Sequence, residues 1–149
     1  MNYFNIAEIK ISYSTKVSPK DRPQIKSSRS AAEIFSEAFK DTVEHHESMY
    51  ALLLNRANKV LGIKQISVGG LSGCVADPKI IFQTALVANA SGIILCHNHP
   101  SGNMQPSEAD KRLTRKIADI GELMEITLLD HLIIGPDEDY FSFLDEGLM

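Results

Sequence analysis

The chain has 149 residues, of which 44% are hydrophobic and 23% charged, with a net charge of −4. That size and composition suit one globular domain with its own core, and exclude disordered, collagen-like and disulfide-scaffold chains. The negative balance disfavours non-specific nucleic-acid binding, no apolar run approaches the roughly 20 residues of a membrane span, and MNYFNIAEIK lacks both parts of a signal peptide, so the chain reads as cytoplasmic.

In chain order, Ile6 to Tyr13 alternates apolar and polar residues, with Ala7, Ile9, Ile11 and Tyr13 on one side, which predicts a half-buried strand. Residues 14–29, with Pro19 and Pro23, read as a basic linker. Lys16, Lys20, Arg22, Lys26 and Arg29 stand there against Asp21 alone, whereas residues 137–149 hold five acids and no base. A domain then spans residues 30–149. Ser30-Ala-Ala-Glu33 has the form of a capping box, and Ile34, Phe35, Ala38, Phe39 and Val43 recur at helical spacing, predicting a helix over 31–45. Met49 to Leu54 is a short apolar strand, and Lys59 to Val68 is its hairpin partner, ended by Gly69-Gly70. Asp77-Pro78 places an N-cap before a proline at the first helical position and opens a helix over 78–89. A buried strand follows at Ile93 to His97, then a loop to Pro106, a helix over 108–124, a strand over 126–134 and a short strand at Tyr140 to Phe143. Strands and helices alternate irregularly around one hairpin. This predicts an α/β domain with a mixed β-sheet flanked by α-helices.

Chemistry concentrates between Cys96 and Asp110. His97 and His99 are two apart at a predicted strand end, so both imidazoles point to one side. Two imidazoles converging there make a good bite for zinc. Asp110 comes eleven residues after His99, in the first turn of a helix, and completes a two-His, one-carboxylate set. Three protein ligands leave a position for water, as in catalytic rather than structural zinc sites, although such a set also suits iron. Ser107-Glu-Ala-Asp110 is equally a capping box, a role that alone would explain Asp110. Cys96, adjacent to His97 on an extended strand, faces the opposite way as a buried thiol, and with Cys74 it suits a reducing compartment. Asp130-His131 is either a hydrogen-bonded structural pair or a support for the metal ligands. His45 and His46 read as surface residues.

His97-x-His99-Pro100, six residues, then Ser107-x-x-Asp110 resembles the JAMM motif of JAB/MPN-domain metallopeptidases. The set HNHPSG (97–102), PSEAD (106–110) and LLDHLIIG (128–135) is similar to that of the bacterial RadC family, over roughly residues 30–149. The resemblance implies the JAB/MPN fold, related to the cytidine-deaminase-like architecture, and Zn2+ held by His97, His99 and Asp110. Deaminase chemistry needs a P-C-x-x-C pair, which is missing here. The pattern also implies an upstream glutamate as general base. Glu47, opening the apolar run to Asn55, matches it, although spacing alone does not separate it from Glu44. Ser107 matches the residue that stabilises the oxyanion. Longer RadC proteins carry a helix-hairpin-helix region, and none reads in these residues. Asp77 stands where RadC-type sequences commonly have histidine, and residues 110–126 leave no room for the insertion that cradles ubiquitin in eukaryotic relatives.

The resemblance therefore implies a zinc metallohydrolase cutting peptide or isopeptide-like amide bonds, with Glu47 and Ser107 as catalytic residues. The alternatives are a DNA-associated repair or replication accessory, a metal-dependent nuclease, or a scaffold with a vestigial site. The expected partner is a peptide or protein substrate. Nucleic acid has only the basic stretch behind it, no membrane is expected, and a homo-oligomer stays open.

Overall fold

The computed structural model describes residues 5–69 and 75–149. Strands β1 (Ser48–Leu54) and β2 (Val60–Val68) form the expected antiparallel hairpin. The other edge of β1 pairs antiparallel with β3 (Gly92–Asn98), which runs parallel to β4 (Thr127–Ile134), and β4 pairs antiparallel with β5 (Tyr140–Ser142). The sheet is therefore mixed, in the order β2-β1-β3-β4-β5. Helices α1 (Ser28–Phe39), α2 (Pro78–Val87) and α3 (Glu108–Met124) cover it.

Residue parity decides which helix each strand residue meets. Met49, Ala51, Leu53, Ile93 and Leu95 bury against Ile81, Phe82 and Ala85 of α2 and Ile117 of α3. Leu52, Leu54, Ile94 and Cys96 bury on the opposite face, against Ala31, Ala32, Phe35 and Phe39 of α1. Cover on both faces explains why β1 and β3 read as continuous apolar runs. It also sends His97 toward α2 and α3 and Cys96 toward α1, as the alternation predicts. Burial drives the Cys96 thiol pKa well up, with the nearby Asp130 charge adding to it, so the thiol stays protonated.

Alternation breaks once in β4. Ile93 pairs with Leu128 but Ile94 with Asp130, so Leu129 is an extra residue. One inserted residue inverts the facing of everything after it. Asp130 consequently lies beside Ile94 on the α1 face, and His131 lies beside Leu95 on the α2/α3 face. Both are buried.

Three expectations need correction. Ile6 to Tyr13 is not a strand: Ile9 is 87% and Ile11 75% exposed, because no neighbouring strand offers its alternate residues a face to bury. Among the described residues Tyr13 reaches back, its hydroxyl donating to the Leu61 carbonyl. The first helix begins earlier and ends sooner than 31–45. Ser27, extended at φ −161°, caps it by accepting the Ser30 amide, while the Ser30 hydroxyl accepts the Ser27 amide. The box is Ser27/Ser30, not Ser30/Glu33. After Phe39 the chain turns, with the Thr42 and Val43 amides both on the Phe39 carbonyl. The basic stretch, finally, is not wholly a free linker. The Val60 amide donates to the Pro23 carbonyl and the Ile25 amide to the Asn58 carbonyl, extending the pairing of β2. Gly70 and Cys74 lie outside the described residues.

Among the described residues no helix is long and apolar enough to cross a membrane.

Candidate metal centre

Past His97 the chain continues along β4, the His99 amide donating to the Ile134 carbonyl, before it turns at Gly102. This keeps His97 and His99 on one side of the sheet. Their Nε2 atoms stand 3.0 Å apart, and Oδ2 of Asp110 lies 3.4 Å from the first and 3.5 Å from the second. Tetrahedral ligands at about 2.0–2.1 Å from zinc stand roughly 3.3 Å from one another. The three atoms thus already have the spacing of a metal-ligand face, all within 4.8 Å of one another.

The hydrogen bonds behind these atoms favour a cation between them. Nδ1 of His99 lies 2.6 Å from the Asn103 carbonyl, which can only accept, so the proton sits on Nδ1 and the neutral ring leaves Nε2 as a lone pair. Asp110 satisfies both of its readings at once. Its Oδ2 accepts the Ser107 amide at 2.8 Å, and its own amide donates to Ser107 Oγ at 3.0 Å. A carboxylate has about four acceptor sites, so capping the helix leaves others free for a metal. Burial works to raise the Asp110 pKa, but hydrogen bonds from the Nε2–H groups that His97 and His99 carry when their rings are protonated outweigh it and hold the carboxyl well below the usual carboxylate range. At His99, burial opposes the charged ring, while Asp110, the Asn103 carbonyl and the charge of Glu47 together raise its pKa. The anionic field that raises it is one a divalent cation would satisfy.

Glu47 is half-buried and immediately precedes β1. It shares the parity of Met49, whose register partner is His97, and so belongs to the face that carries the histidines. Glu44, the other candidate, is exposed. His45 is exposed and His46 half-buried, and neither joins the cluster.

Two residues that sequence reasoning passed over support the site. Asn98, fully buried on the α1 face, accepts the Ser48 amide at Oδ1 (2.8 Å) and donates from Nδ2 to the carbonyls of Val43 (2.9 Å) and His46 (3.0 Å). One side chain thereby ties the segment bearing Glu47 to the strand bearing the histidines. Its only signal in the sequence was an amide between two candidate ligands. Thr114, one turn after Asp110, donates to the Asp110 carbonyl at 2.7 Å. Its Oγ1 also lies 2.7 Å from Nδ1 of His131, whose Nε2 is 2.8 Å from Nδ1 of His97. His131 stacks on Phe143, and burial, followed by the charge His97 carries when protonated, pushes its pKa well below the ordinary value. Asp130 points away and accepts the Ser142 hydroxyl and the amides of His131 and Leu144. The Asp130-His131 pair therefore splits, Asp130 bonding the C-terminal turn and His131 the candidate ligand.

A family profile described as the RadC-like JAB domain matches residues 25–148. The chain belongs to this family. It is 48% identical over 103 residues to a UPF0758 protein of Flavobacterium johnsoniae, covering 69% of this chain and 44% of that one. Against a UPF0758 protein of Porphyromonas gingivalis it is 44% identical over 128 residues, covering 86% and 56%. A UPF0758 protein of Clostridium acetobutylicum is 36% identical over 126 residues, covering 85% and 54%. The chain spans about half the length of the curated relatives it matches. The mixed sheet and its flanking helices agree with a RadC-like JAB domain.

Proposed function

We propose that this RadC-like JAB domain is a zinc-dependent hydrolase of peptide or isopeptide-like amide bonds. One observation carries the reading: three ligating atoms of His97, His99 and Asp110 meet within 4.8 Å, with half-buried Glu47 two residues before Met49, the register partner of His97. Three ligands from a strand end and a helix start leave a coordination position open, the arrangement of hydrolytic zinc. A zinc ion held there supplies a lowered pKa for water and polarisation of a carbonyl oxygen.

The chain's own groups then divide the proton and charge work. Glu47 takes the proton of the attacking water and returns it to the departing amine. Ser107 donates a hydrogen bond to the oxygen that gains charge as the carbonyl becomes tetrahedral. His99 and Asp110 hold their ligating atoms in place through Asn103 and the Ser107 amide. α3 runs as one unbroken helix from Glu108 to Met124, so no insertion follows Asp110, which fits a short extended peptide better than a bulky folded substrate.

Two measurements test this. Protein purified without chelator or added metal should contain about one zinc per chain by mass spectrometry, as expected of a three-ligand site. Glu47→Gln should keep that metal and lose turnover of a peptide library by at least ~10²-fold. A variant that keeps full activity sinks the base assignment. A chain that takes up no zinc when offered it sinks the hydrolase reading and leaves the DNA-associated and scaffold alternatives.

A further inference from the structure

We infer that His131 and Thr114 form a hydrogen-bonded relay that sets the tautomer of His97 and so aims its Nε2 lone pair at the metal position. His131 is thus a positioning residue, and the inference rests on reading His97, His99 and Asp110 as metal ligands.

Each contact in this chain has room for one proton. Thr114 has a single hydroxyl proton, and it is committed to the Asp110 carbonyl, an acceptor only, at 2.7 Å. The 2.7 Å contact between Thr114 Oγ1 and His131 Nδ1 must then be made by a proton on Nδ1. His131 is fully buried against Phe143, and among the described residues no carboxylate is hydrogen-bonded to its ring, Asp130 accepting only its backbone amide. Burying an unpaired cation is strongly disfavoured, so the ring is neutral and its Nε2 is a lone pair. That lone pair lies 2.8 Å from Nδ1 of His97, which must therefore carry the proton. A neutral His97 then has its remaining lone pair on Nε2, and the 3.0 Å contact between it and the bare Nε2 of His99 is left for a cation to bridge, a proton or the metal. The Asn103 carbonyl does the same for His99 directly. Both rings so become acceptors facing one point, where two N–H groups would repel a metal and each other.

The relay also joins the two elements that supply ligands. Thr114 lies on the helix of Asp110 and His131 on the strand parallel to that of His97, so a shift of either element breaks a bond in the chain. Only the extra residue at Leu129 turns His131 to this face.

The test uses the whole chain. In metal-free protein at about pH 8, where an ordinary imidazole is neutral, long-range proton–nitrogen NMR correlations should show His97 protonated on Nδ1. Zinc affinity, measured with Zn2+ against a chromophoric chelator, should fall about 10- to 100-fold in His131→Leu, the usual effect of losing such a support. His131→Gln should recover most of that loss, because its amide oxygen can accept from His97 while its NH2 donates to Thr114. A His97 protonated on Nε2 in the unsubstituted protein overturns the relay. So does a folded His131→Leu that binds zinc as tightly, or a Gln variant no better than Leu. If Leu does not fold, the unsubstituted tautomer and the Gln variant decide the matter. Should the unsubstituted protein bind no zinc, the hydrolase reading fails, and the NMR result still scores the relay by itself.

Discussion

Ser107 accepts the Asp110 amide with an oxygen lone pair, so its hydroxyl proton stays free to donate. Capping the helix and stabilising a developing oxyanion therefore do not compete for the same part of the group. Glycine at an N-cap costs only a few tenths of a kcal/mol relative to serine, whereas removing an oxyanion donor costs about 10²–10³ in turnover. Ser107→Gly should accordingly unfold in urea at nearly the same concentration as the unsubstituted chain and lose turnover by that factor. Equal turnover would leave Ser107 as a cap alone. At this scale much was legible, because His97, His99, Ser107 and Asp110 announce themselves by local spacing. Glu47 against Glu44 was not legible from spacing; the fold leaves Glu44 exposed in a turn and half-buries Glu47 next to β1. Asn98 showed only its place between two candidate ligands and Thr114 showed nothing, since the partners that give them their roles, Ser48, Val43, His46 and His131, are distant in sequence.

Among the elements, the segment before β1 depends on Asn98. Asn98→Ala strands the buried Ser48 amide, where an unsatisfied group costs about 1–3 kcal/mol, and frees the part-buried Val43 and His46 carbonyls. We expect a lower urea midpoint by an equivalent amount, together with slower turnover at temperatures where the variant is still folded, as Glu47 loses its seat. Turnover unchanged in folded protein would show that Glu47 is held by other means. The α3–β4 junction is equally specific. Glu125 turns the chain at φ 57°, and the Ile126 amide returns to the Gly121 carbonyl at 2.9 Å. A Cβ on Gly121 would meet the Ile126 carbonyl oxygen at 2.2 Å, which is backbone and cannot step aside. Gly121→Ala should therefore destabilise by about 1–3 kcal/mol, measured by chemical denaturation. Element existence and order were readable from periodicity and caps. The boundaries of α1 were not, because Ser27 and Ser30 offer rival caps and only the packing of Ala31, Ala32 and Phe35 selects one.

For the whole molecule, acid stability reports on the metal-free site. The Asp110 carboxyl is held well below its unfolded value, so its contribution is full above that value and is lost as pH falls through it toward the folded one. Asp130 is shifted the other way, upward by burial, but it is present in both proteins of the comparison and cancels. The stability difference between the metal-free chain and Asp110→Asn should therefore be large at about pH 5, where the carboxylate is ionised and the facing imidazoles are protonated, and shrink as pH falls to about 3. Urea unfolding across that range checks it, and a gap that widens on acidification would show that hydrogen bonding to His97 and His99 does not govern the group.

By itself the sequence determined the run of strands and helices, the hairpin, the caps of α2 and α3 and the grouping of His97, His99 and Asp110. Each of these is set by residues within a few positions of one another, so backbone periodicity and local hydrogen bonding suffice. Tertiary structure decided the rest. It left Ile6 to Tyr13 without a strand, because alternation stabilises nothing until a partner face exists. It inserted Leu129 into the β3–β4 pairing and so turned His131 toward His97 and Asp130 away. It tied the backbone on either side of Glu47 to the strand of the histidines through Asn98. Register and facing are properties of contacts between distant segments, and a single extra residue reverses them.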